Sequence, residues 1–118
     1  MAGRITTHVL DTARGKPAAG VKITLYRVSD AGQLRLAEVV TNADGRTDAP
    51  MLAGDELKAG VYELVFGAGD YLRGSGQAEG DVLFLDEIPI RFGVPDAGQH
   101  YHVPLLISPF AYSTYRGS

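Results

Sequence analysis

The chain contains no cysteine, which excludes disulfide staples, Cys-based zinc sites and thiol nucleophiles and permits a cytoplasmic address. It also lacks any apolar run near the ~20 residues that span a bilayer. Residues 1–15 carry no apolar core of the kind a secretory signal needs. A surplus of either charge is missing too. Lys plus Arg number 11 against 14 Asp plus Glu, a net charge of -3, which argues against a protein built to grip nucleic acid or an anionic membrane. No Gly-x-Ser-x-Gly elbow is present, so a serine nucleophile has no support. Gly15-Lys16 is followed by Pro17, where a phosphate loop would need Ser or Thr. With 45% apolar and 21% charged residues, the 118-residue chain reads as one folded, cytoplasmic domain over residues 1–118.

Long helical stripes are absent as well. Fifteen glycines and six prolines punctuate the chain, leaving short apolar runs between turns, the pattern of an all-β sandwich or barrel. Strands are predicted over 5–12, 21–26, 34–42, 61–66, 82–94 and 101–107, with a closing strand over 112–116. In the first, Thr6, His8 and Leu10 share a face opposite Ile5, Thr7 and Val9. Tyr62, Leu64 and Phe66 fall on one face, as do Ile88, Ile90 and Phe92. Pro89 lacks a backbone donor and predicts an edge or bulge position. Asn42-Ala43-Asp44-Gly45 predicts a tight turn. Only 69–73 can form a helical turn or two, with Asp70 as its N-cap.

In the strand over 101–107, Tyr101, Val103, Leu105 and Ile107 make a core face. The other face carries His100 and His102, then Pro104 and Leu106. A sheet face that is half apolar and half titratable predicts contact with another subunit. All three histidines, His8, His100 and His102, sit on predicted strands. Three readings apply: exposed polar positions, a three-histidine zinc site, or metal-free acid–base catalysis, for which imidazole is suited near neutral pH. Arg46, after the Asp44-Gly45 turn, is either a solvated arginine or a planar fork for an anion.

The segments Ile5-Thr6-Thr7-His8-Val9-Leu10-Asp11 and His100-Tyr101-His102-Val103-Pro104-Leu105-Leu106, the Asp44-Gly45-Arg46 turn and the terminal Tyr115-Arg116-Gly117-Ser118 together resemble the transthyretin-related 5-hydroxyisourate hydrolases. The terminal tetrapeptide is the most specific element, and the resemblance runs the length of the chain. It implies a prealbumin-type β-sandwich of two four-stranded sheets with one short helix. It also implies a homotetramer, a dimer of dimers, with active sites in the channel between dimers. The implied substrate is 5-hydroxyisourate, a small purine-derived molecule, hydrolysed without metal or other cofactor. The catalytic residues implied are His8, Arg46, His102 and Ser118. Substrate binding falls to His8, Arg46, Tyr115, Arg116, Gly117 and Ser118. His102 is the favoured base, with His8 assisting, and His100 is left outside the site. The alternative function is a transthyretin-like module that binds a small aromatic ligand without turning it over.

Overall fold

The computed structural model describes residues 2–117. Eleven strands and one α-helix follow in order: β1 (Arg4–Thr6), β2 (Val9–Asp11), β3 (Lys16–Pro17), β4 (Lys22–Ser29), β5 (Gly32–Val40), β6 (Leu52–Ala53), β7 (Gly60–Gly67), α1 (Ala68–Gly74), β8 (Glu87–Val94), β9 (His100–His102), β10 (Leu105–Ile107) and β11 (Tyr112–Thr114). They form three hydrogen-bonded sheets rather than the two expected: β6-β1-β9, β11-β10-β2-β3 and β5-β4-β7-β8.

The third sheet is fully antiparallel, with β4 hydrogen-bonded between β5 and β7 and β8 at the edge beyond β7. Pro89, opposite Val65 on that edge strand, points its donorless nitrogen where no ladder bond is required. Tyr62, Leu64, Phe66, Ile88 and Ile90 all turn inward, as their spacing predicts. The strand expected over 82–94 starts only at Glu87. The residues before it are held otherwise: the Arg73 guanidinium donates to the carbonyls of Gly80 and Asp81, and the Gly69 N–H donates to that of Asp86. Asp70 is not the helix cap. Because β7 remains paired to β8 through Gly67, the helix opens directly from that residue. Asp70 then falls in the first turn, 3.6 Å from Arg73.

The other two sheets come from two long runs, 4–11 and 100–107, each interrupted once. β1 pairs parallel to β9, and β2 parallel to β10. At the interruption Pro104 has no N–H to offer, and the Thr7 hydroxyl takes the Val103 carbonyl at 2.7 Å. Backbone bonds from Val103 N–H to the Thr6 carbonyl and from Leu105 N–H to the His8 carbonyl flank the gap, both at 2.9 Å. The inward faces are Ile5, Thr7 and Val9 on one run, and Tyr101, Val103, Leu105 and Ile107 on the other, all buried. Apart from Thr7, they meet Ile23, Leu25, Leu64 and Phe66 of the third sheet in a single apolar cluster. Thr6, His8, Leu10, His100, His102 and Leu106 are left half-buried on the outward face. The period-two alternation thus decides which side chains become available for chemistry.

Candidate active site

His8 and Arg46 face each other across an isolated antiparallel bridge. The turn that presents Arg46 is built by Asn42, whose side-chain oxygen accepts from the N–H groups of Asp44 and Arg46 at 2.9 and 3.2 Å. Gly45 has φ +75°, and a Cβ there would stand 2.4 Å from the Val9 carbonyl oxygen. Both facts require glycine, because L side chains rarely adopt that φ and the strand backbone cannot retreat. The turn's Asp44 carbonyl lies 2.9 Å from His8 Nε2. A carbonyl only accepts, so His8 carries a proton on Nε2 and leaves Nδ1 as the free nitrogen.

His102 is held from two sides. Its Nδ1 lies 2.8 Å from Thr6 Oγ1, the residue opposite it on β1. Its backbone carbonyl accepts from the Gly117 N–H at 2.7 Å, across a second isolated bridge. A Cβ on Gly117 would fall 2.6 Å from the ring carbon Cδ2 of His102, so the tail lies directly against the imidazole. Burial, then the positive charge of Arg46 and the neighbouring His100 and His8, push the His102 pKa below the ordinary 6.5. His100 is lowered too, by burial and by Arg4 and Arg116. Both imidazoles are therefore biased toward the neutral form that can accept a proton.

Arg4, Thr6, Arg46, His100 and His102 line a hollow of about 390 Å³. A larger depression of about 770 Å³ crosses the outer face of the third sheet. There Glu38 lies 3.8 Å from Lys22 and 3.5 Å from Arg35, as on a solvated sheet face, and no histidine lines it. The smaller hollow is the one where imidazoles converge with the Arg46 guanidinium fork, and we take it as the site. Among the described residues no group of three or more His, Asp or Glu side chains is placed to hold a metal ion.

The sequence-predicted residues divide. His8 with Arg46 and His102 with Gly117 are brought together in pairs. Tyr115 and Arg116 line a separate, more apolar groove beside Ile90 and Phe92. Arg116 donates to the Gln99 side-chain oxygen and the His100 carbonyl at 3.0 and 3.2 Å, and stacks 4.5 Å over the Tyr101 ring. Ser118 lies outside the described residues. Thr6 was not singled out as a functional residue from sequence, yet it touches both His100 and His102. The signal was available, since Thr6 shares the outward face of its strand with His8.

A family model described as Transthyretin: HIUase/Transthyretin family matches residues 5–117. The chain belongs to the HIUase/transthyretin family. This HIUase/transthyretin chain is 65% identical over 116 residues to the 5-hydroxyisourate hydrolase of Mesorhizobium japonicum, covering 98% of this chain and 93% of that protein. The crystal structure of (S)-allantoin synthase matches with a TM-score of 0.93 at 46% identity, over 99% of this chain but 44% of that one. This chain therefore corresponds to less than half of that protein. The Klebsiella pneumoniae 5-hydroxyisourate hydrolase matches with a TM-score of 0.80 at 35% identity, over 98% and 99% of the two chains. The mostly-β architecture with a single short helix is that of the HIUase/transthyretin family.

Proposed function

We propose that residues 1–118 form one hydrolase domain that opens the ring of 5-hydroxyisourate at an amide-type C–N bond. The product is 2-oxo-4-hydroxy-4-carboxy-5-ureidoimidazoline. The observation that carries this reading is the likeness, over nearly the full length of both chains, to the Mesorhizobium japonicum hydrolase. With Nδ1 engaged by Thr6, Nε2 of His102 is the nitrogen left for a reactant. His102 takes a proton from water, the resulting hydroxide attacks the carbonyl, and the same proton can pass to the departing ring nitrogen. His8 assists through Nδ1, its other nitrogen being spent on the Asp44 carbonyl. The Arg46 fork stabilises charge developing on the ring oxygen. The tail Tyr115-Arg116-Gly117-Ser118 is the proposed substrate-binding segment, with the Ser118 hydroxyl among its positioning groups. No metal or other cofactor is required by this scheme.

Read across their interruptions, β6 with β3, β1 with β2, β9 with β10, and β11 form four columns of one layer. The sheet β5-β4-β7-β8 is the other, giving a sandwich of two four-stranded sheets. The outward face that carries the histidines also carries Leu10 and Leu106, and we place it between subunits of a homotetramer in the cytoplasm.

The test is the ultraviolet decay of 5-hydroxyisourate generated in place by urate oxidase, followed with and without this protein. Faster loss of the absorbance is expected. An unchanged decay rate overturns the hydrolase and leaves a binding module for a small aromatic ligand.

A further inference from the structure

Thr6 Oγ1 lies 2.7 Å from His100 Nε2 and 2.8 Å from His102 Nδ1. The ring centroids of the two imidazoles are 6.1 Å apart and tilted by 56°, so the hydroxyl is the link between them. The register of β1 against β9 produces this arrangement. Arg4 faces His100 and Thr6 faces His102, and the period of two puts His100 and His102 on one side.

A hydroxyl has one proton to donate and two lone pairs to accept with. It cannot donate to both rings, so at least one imidazole must donate to it. If Thr6 donates to His102 Nδ1, the neutral His102 carries its proton on Nε2 and has no lone pair facing the hollow. If Thr6 donates instead to His100 Nε2, His102 must hold its proton on Nδ1, and Nε2 is a base. The protonation patterns of the two rings are therefore tied together through a single oxygen.

We infer that Thr6 and His100 are positioning residues for His102: Thr6 donates to His100 Nε2 and accepts from His102 Nδ1, fixing the lone pair of His102 on Nε2. The inference rests on the hydrolase reading for its consequence, though not for its geometry. Once Nε2 has taken the proton from water, His102 is an imidazolium whose Nδ1–H still points at the Thr6 oxygen. That bond strengthens with the charge. Burial, joined by Arg4 and Arg116 at His100 and by Arg46, His100 and His8 at His102, opposes protonation of either ring before substrate arrives. His100 thereby acquires a task that its place outside the catalytic set does not reveal.

The experiment is long-range proton–nitrogen NMR of protein labelled with 15N-histidine, at a pH where the rings are neutral. Wild-type His102 should show a protonated Nδ1 and an unprotonated Nε2. Thr6→Val keeps the shape of the side chain and removes the hydroxyl, and should shift the proton of His102 toward Nε2. Thr6→Ser should restore the wild-type pattern. Turnover of 5-hydroxyisourate should follow, with kcat for Thr6→Val lower by on the order of tenfold or more and KM little changed, because a base held in the wrong tautomer loses most of its effect. A His102 pattern with Nε2 protonated in the wild type, or one unchanged by Thr6→Val in a protein whose amide spectrum shows it folded, overturns the inference. A shifted pattern with no loss of turnover leaves the Thr6 link standing and removes His102 as the base, so the two failures are distinguishable.

Discussion

At Gly117 the tail comes so close to His102 that no side chain fits, since a Cβ would stand 2.6 Å from the ring. The backbone N–H is meanwhile bound to the His102 carbonyl. Gly117→Ala must therefore displace either the tail or the imidazole. We expect on the order of tenfold or more loss in kcat, because small misplacements of a catalytic group are costly, with circular dichroism unchanged. Full activity in the folded variant would count against contact between tail and catalytic ring. The histidines themselves carry larger expectations. His102→Ala and His8→Asn should each cost on the order of 10²-fold or more in rate. The lowered pKa of His102 fixes the sign of the pH dependence. A base must be neutral, and His102 stays neutral to a lower pH than an ordinary histidine, so kcat/KM should decline only below about 6.5. An acid limb above that value, or one that persists in His102→Ala, would sink this assignment.

Among the elements, the helix is fastened to the sheet by one buried carboxylate. Asp11 at the end of β2 is 1% exposed, and accepts from the Tyr71 hydroxyl at 2.6 Å and from Gln77 Nε2 at 2.8 Å. The Arg14 backbone N–H completes the set at 2.9 Å. Burial pushes the carboxyl pKa up, but these hydrogen bonds and the Arg14 charge together outweigh it, and the net shift is below 3.8. Burial and the Asp11 contact push the Tyr71 hydroxyl up to about 12. The signs run oppositely. The Asp11 contribution to stability is present above 3.8 and lost as pH falls through its lowered folded value. The Tyr71 contribution is full below 10 and lost as pH rises toward 12. Tyr71→Phe leaves the carboxylate short of a donor and should destabilise by about 1–3 kcal/mol, with its acid unfolding moved to higher pH. Urea titrations across pH check this. An unchanged midpoint at neutral pH would show that the junction does not fasten the helix.

For the molecule as a whole, the outward face of the interrupted strands combines titratable and apolar groups. Leu10 and Leu106 flank His8 and His102 there, and Phe110 and Tyr112 stand exposed beyond β10. Closing that face against a second copy would bury the apolar part and shelter the imidazoles from bulk water. Light scattering at micromolar concentration should give about four times 12.6 kDa. A stable, active monomer would remove the inter-subunit location of the site.

The sequence by itself determined which side chains face which way. Strand alternation is local, so it placed Ile5, Thr7 and Val9 inward and Thr6, His8 and Leu10 outward. It likewise sent Tyr62, Leu64 and Phe66 to the core and put Pro89 on an edge. Asn42 and Gly45 specified the turn that presents Arg46 through their own hydrogen bonds and φ. Tertiary structure decided whatever depended on the partner of a backbone or side-chain group. The strand expected over 82–94 starts only at Glu87, where the carbonyl of the residue before it, Asp86, is taken by the Gly69 N–H of the helix. Asp70 lost the cap because β7 stays paired through Gly67. Arg116 was drawn onto Gln99 and Tyr101, and Thr6 came to lie between two imidazoles, because β1 and β9, some ninety residues apart in sequence, pair in one register. A period of two reports the face of a strand and carries no information about the strand beside it.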